Sequence, residues 1–314
     1  MLAKLRRAPR WGLRTAEEFL FAPDAAENLA VCRILSYGGL LLLHVGVDYG
    51  AWAAAADVFW MPLGTFEQLG LDRLSPSVVG WMSLAWKISL ATACLGLFTR
   101  VSAVVAFVLG FYLLGLLHSM GDLSHGDAAA VIILGVLTLA RTNDAYSLDR
   151  LIRPRPMFLS GEYRWPTRVV WLILASVFFA AGWSKLRKSG LDWAFSENMS
   201  YILAEHQFPP EHREAVLSWG RWMAREPWIY KGMGASALLL ELTYPLALFS
   251  RRLRLVLVPG MVLGVVGFRL LLGPSFYPLI LCHVFWIRWQ PWLREPRVAN
   301  DPTTALPSNS EPAT

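Results

Sequence analysis

The chain has 314 residues, of which 55% are hydrophobic and 17% charged, whereas a soluble domain carries roughly 25% charged residues. Together with a mean hydropathy of +0.42 this argues against a water-soluble globule, and the 15 Trp, 16 Phe and 9 Tyr are rings that suit lipid and its interfaces. The net charge of +6 needs no nucleic-acid partner to explain it, because in a membrane protein the placement of basic residues matters more than their sum.

Residues 1–27 are a basic segment carrying Lys4, Arg6, Arg7, Arg10 and Arg14, within which 11–21 reads as either a short interfacial helix or a plain connector. No short apolar region leads to an early cleavage site, so a removed signal peptide is not expected. Nearly uncharged stretches follow near 30–52, 79–98, 101–118, 123–141, 168–186, 232–250, 254–273 and 275–289. About 20 apolar residues cross a 30 Å hydrocarbon slab at 1.5 Å per residue. The pattern therefore predicts an all-α polytopic bundle of about eight transmembrane helices within 28–290, the fourth and eighth being short for the task. Cys32, Cys94 and Cys282 each lie inside an apolar run and offer neither a disulfide framework nor a Cys-rich zinc site. Residues 291–314, rich in Pro, Ser, Thr and Asn, predict a disordered tail.

Every second connection is basic. Arg100 lies in one, Arg141, Arg150, Arg153, Arg155 and Arg164 in the next, then Arg251, Arg252 and Arg254, then Arg294 and Arg297. The alternate loops carry Asp57, Glu67, Asp72 and Asp122, or the mixed segment 187–231. Basic residues gather on the cytoplasmic side, so both termini are expected there. No internal repeat, phosphate loop or nucleotide fingerprint is visible.

Ionisable groups inside apolar spans are costly and therefore candidates for function. They comprise Arg33, His44, Asp48, Lys87, Asp127, Lys185, Glu241, Arg269 and His283. His44 and Asp48, four apart, would share a helical face and let a carboxylate orient an imidazole, or simply stabilise the bundle as a local pair. His125 lies about 24 Å of helix from Arg141, and Lys185 about 26 Å from Arg168. Successive antiparallel helices would thus bring both to one depth in the outer half, where they can face one cavity. The plain alternatives are that Lys185 snorkels to the interface and that His125 is a polar helix-start residue. His118, Asp122, His125 and Asp127 cluster at one outer turn but lack the HExxH spacing or Cys ligands of a zinc site, so no metal is expected. His206 and His212 read as surface residues.

The segment Phe178 to Trp193, "FFAAGWSKLRKSGLDW", resembles the "AG..KL…W" signature of the HTTM family, the horizontally transferred transmembrane domain, similar to the membrane region of vitamin K-dependent gamma-carboxylase. "LAVCRIL" at Leu29 to Leu35, "LGLFTRVSAV" at Leu95 to Val104 and "SHGDAAAVI" at Ser124 to Ile132 are similar to other parts of that family. The likeness covers about 28–290. It implies that Lys185 is a catalytic lysine, that His125 is its partner, and that Glu241 occupies an acidic position. It also implies a reduced quinone as cofactor, deprotonated by the lysine and converted to an epoxide by oxygen. The expected pocket is completed by His44, Asp48, Lys87, Glu241 and Arg269. In "VVGFRLL", Val265 to Leu271, Phe268 or Arg269 stands where the resemblance leads one to expect a histidine, which leaves carboxylation of glutamate open. Arg269 would bind an anionic group of the substrate or pair with Asp48. Expected partners are membrane lipids and a peptide or small-molecule substrate on the non-cytoplasmic side. The competing reading is a non-enzymatic scaffold or maturation partner that docks through 187–231, where Trp193, Trp219, Trp222 and Trp228 form either a docking surface or an interfacial belt.

Overall fold

The structure, a computed structural model, describes residues 16–121, 125–207, 215–273 and 276–289, with 125 and 126 described by their backbone alone. Residues 1–15 and the tail expected to be disordered lie outside the described residues. The principal helices are α1 Ala26–His44, α2 Pro76–Leu95, α3 Thr99–Ser119, α4 His125–Leu139, α5 Trp165–Ser189, α6 Pro227–Thr243, α7 Arg251–Leu272 and α8 Tyr277–Cys282. Three-residue-per-turn segments prolong α6 through Leu248 and α8 through Trp286. Among the described residues the one β feature is an isolated bridge between Asp24 and Ser160. α2, α5, α6 and α8 each carry proline in their first turn, where its missing N–H costs nothing and its fixed φ suits a helix.

Among the described residues, five helical segments are long and apolar enough to cross a bilayer: Ala26–His44, Pro76–Leu95, Thr99–Ser119, Gly161–Ser189 and Arg251–Leu272. Of the eight expected spans, those near 30–52, 79–98, 101–118, 168–186 and 254–273 meet this criterion. Asp127–Leu139 and Tyr277–Trp286 are shorter apolar helices, and α6 runs for 17 residues with Glu241 inside it. α2 shows why lipid, rather than water, suits the outside of the bundle. Its inward residues Val79, Trp86, Leu90 and Ala93 are fully buried, while Trp81, Leu84, Ile88 and Leu95 face outward and are also large and apolar. A helix apolar on both faces has no side for water. α7 repeats this with Leu255, Val256 and Leu263 exposed.

α1 packs on α2 and α8, α2 on α3, α3 on α4, α4 on α5 and α8, and α5 on α6, with α7 against the segment that follows α6. Successive helices alternate in direction, so the arginine-bearing connections gather at one end, the basic face. Arg33 of α1 is completely buried there. Its guanidinium donates to the backbone carbonyls of Thr142, Ala145, Tyr146 and Cys94, and so fastens the α2–α3 turn and the loop after α4 to α1. The turn needs Gly96: its φ is +70°, and a Cβ there would lie 2.5 Å from that of Ser147.

Asp149, in the short helix Leu148–Ile152, caps α3. Its carboxylate accepts from the amides of Phe98 and Thr99, both at 2.8 Å, and from the Thr99 hydroxyl at 2.7 Å. Burial alone would raise this carboxyl, but these donors outweigh it and hold it below the usual carboxylate range. Asp149→Ala is expected to cost about 1–2 kcal/mol, as loss of a helix cap does. A depressed folded-state value means that the stabilisation is present above the unfolded value of about 4 and is lost as pH falls through the folded one. In denaturation series at descending pH, the parent and Asp149→Ala therefore converge in acid.

Candidate active site

α5 carries Lys185 about one turn from its C-terminal end, and α6 carries Glu241 opposite it. The two helices approach closely because Gly182 lies one turn from Lys185 on the contact face. A Cβ at Gly182 would lie 2.8 Å from the Glu241 Cβ and 3.2 Å from the Leu242 amide nitrogen. Across this contact the Lys185 Nζ forms an ion pair with Glu241 Oε1. The Lys185 side chain is 25% exposed and that of Glu241 9%, so Lys185 is not a snorkelling residue with its ammonium free in the interface. Trp193 stacks against the ammonium, its ring centroid 4.9 Å from Nζ. The second oxygen, Glu241 Oε2, is buried and has no partner among the described residues.

This pair forms the polar wall of a cavity of about 320 Å³ between α5, α6, α7 and α8, otherwise lined by Val177, Phe178, Phe268, Leu272, Phe276 and Leu279 among others. His206, expected at the surface, also lines it. His206 follows the helix Asn198–Glu205, whose Met199 and Leu203 are buried against Tyr230 and Leu272. The helix Asn198–Glu205 therefore packs beside the cavity, with Ile202 and His206 in its lining. Behind Phe178 lies His283, its ring centroid 5.7 Å away and its Nδ1 2.8 Å from the Leu279 carbonyl oxygen. Its Nε2, and the hydroxyl of Tyr244 whose ring stands edge-on to it, are buried without partners among the described residues.

His125 begins α4, but its side chain lies outside the described residues, so the Lys185–His125 juxtaposition remains an expectation. In the same region, His118 Nε2 lies 3.8 Å from Asp127 Oδ2, a contact that becomes an ion pair when the imidazole is protonated. Asp122, weighed with them as a metal ligand, also lies outside the described residues.

The other expected pocket residues are placed elsewhere. α1 ends at His44, and Asp48 begins the next helix, Tyr49–Ala53, by accepting from the Ala51 amide at 3.1 Å. They do not share a helical face, because an aspartate is worth more as an N-cap than as a charge inside a span. His44 instead has the Tyr49 hydroxyl 2.8 Å from Nδ1 and packs on Trp86. Lys87 donates to the Val47 carbonyl at 3.0 Å, and with Asp48 and Ser83 lines a separate pocket of about 310 Å³. Arg269 folds onto the end of its own helix, donating to the Gly273 carbonyl and, at 3.3 Å, to the Tyr277 hydroxyl. It stands beside Phe268 of the cavity wall and is not paired with Asp48.

Sequence reasoning passed over His206, which nothing in its local pattern sets apart from the surface. It also did not reach Tyr244, and it named His283 only as an ionisable group within a span. No curated protein and no solved structure matches the chain. The model of the HTTM domain matches residues 21–283, most of the chain and all eight principal helices, and the chain belongs to the HTTM family of membrane proteins.

Proposed function

We propose that this protein is a multi-pass membrane enzyme that uses a reduced quinone in the α5–α8 cavity, with Lys185 as base and Glu241 and His125 as its proton partners. In this reading all eight helices lie within the membrane, both ends are cytoplasmic, and the cavity belongs to the outer half. The observation that carries it is the Lys185–Glu241 pair set in an otherwise apolar wall. The chain's residues suit such a cofactor. The apolar lining would receive a ring and prenyl tail, and Glu241 Oε2 is free to accept from a phenolic hydroxyl. A reduced quinone supplies, with dioxygen, the oxidising chemistry that ends in an epoxide and water. Lys185 must then offer a neutral amine. Movement of one proton from Nζ to Oε1 would prepare the base without any charge leaving the cavity.

The test is to supply the purified protein, with its bound lipids, with a reduced naphthoquinone and oxygen and to measure epoxide. Wild type is expected to form it and Lys185→Ala to fall to background. Equal epoxide in both, or none in either with quinone demonstrably bound, counts against the proposal. A second reading rests on the exposure of Trp219, Trp222 and Trp228 in the outer segment. In it the chain is a scaffold for a peptide-bearing partner, and partner binding would be lost in Trp219→Ala/Trp222→Ala and kept in Lys185→Ala.

A further inference from the structure

At the basic face, remote from the Lys185 cavity, a cleft of about 500 Å³ opens between the start of α3 and the loop after α4. Four arginines line it, Arg100, Arg150, Arg153 and Arg155, together with two carboxylates, Asp144 and Asp149. Both carboxylates are already engaged. Asp144 takes Arg141 at 2.9 Å and the Tyr163 hydroxyl at 2.8 Å, and Asp149 caps α3. Arg150 is held by the Asp144 carbonyl. Arg100, Arg153 and Arg155 are exposed, and their guanidiniums have no hydrogen bond or ion pair among the described residues. Three uncommitted guanidiniums at one mouth form a site for an anion with several oxygens, because each presents a planar fork of donors that matches phosphate.

The flank of the cleft identifies the source of that phosphate. Phe98, Val101 and Ile152 line the same cleft and are 72%, 65% and 66% exposed. On α3 the exposed apolar surface continues from Val101 through Val104 to Val108, one residue per turn away from the arginines and toward the bilayer. A soluble phosphate has no use for that track, whereas an acyl chain does. We infer that the cleft binds an anionic phospholipid, its phosphate among Arg100, Arg153 and Arg155 and a chain along the Val101 face of α3. Juxtamembrane basic pockets of this kind hold such headgroups, with each arginine near the surface contributing about fivefold in affinity.

The experiment is retention of dioleoyl phosphatidylglycerol by the full chain in neutral detergent, read by native mass spectrometry, with dioleoyl phosphatidylcholine as the uncharged comparison. Arg100→Gln/Arg153→Gln/Arg155→Gln is expected to bind phosphatidylglycerol on the order of 100-fold more weakly and phosphatidylcholine unchanged. Arg251→Gln/Arg252→Gln, on another connection of the same face, is expected to bind as the parent does. Equal retention by the cleft variant and the parent would overturn the inference, as would an equal loss in the Arg251/Arg252 variant, which would mean general surface charge. Displacement of the lipid by inorganic phosphate at equal concentration would overturn the lipid as its source. Since these arginines are exposed, the variant is expected to melt with the parent in neutral detergent, and the single Arg100→Gln, at about fivefold, provides a milder check.

Discussion

Glu241→Leu is expected to destabilise the folded protein by about 3 kcal/mol, and combining it with Lys185→Met to restore most of that loss. The single change leaves an ammonium at the wall of an apolar cavity without its carboxylate, and an unmatched charge there costs more than the pair contributes. The double change removes both charges and fills the gap with apolar atoms of similar length. Reversible unfolding in mixed micelles of the parent, both single variants and the double variant gives the coupling directly. Two single variants as stable as the parent, with no coupling, would show that the charges are not joined. This cycle is independent of the epoxide assay, since a purely structural pair would show the coupling and form no product.

Arg33→Met is expected to be the most damaging single change in the basic face, at about 4 kcal/mol, because several buried carbonyls lose their donor at once and each such orphan costs about 1–3 kcal/mol. Arg33→Lys is expected to recover part of the loss, since an ammonium donates three bonds but cannot reproduce the planar fork that reaches Thr142, Tyr146 and Cys94 together. The measurement is the monodisperse fraction and midpoint of thermal unfolding in detergent. Full stability in Arg33→Met would contradict the tethering role.

The chemistry of the candidate site was partly legible and its geometry was not. The "AG..KL" segment marks Lys185, and Glu241 stands out as an acid within an apolar stretch, but their contact depends on how closely α5 and α6 approach, which no spacing along either helix encodes. His44 and Asp48 show the opposite error. A four-residue spacing implies proximity only while the helix continues, and Gly46 lies between them where α1 has already ended. The short α4 and α8 were visible as short, and an interrupted α6 was not, because its apolar pattern runs on through the tighter turn at Tyr244–Leu248. The arginines of the α4–α5 connection were read for what they say about orientation. That three of them converge on one cleft follows from the fold around Asp149.

Gly182 gives the molecule an unusual kind of vulnerability. The spacing between the two rods that carry Lys185 and Glu241 is gauged at a position bearing no side chain. A single methyl group there, chemically inert and making no contact with any ligand, would act as a wedge and shift the two charges apart, so the residue with the fewest atoms governs the reach of those with the reactivity.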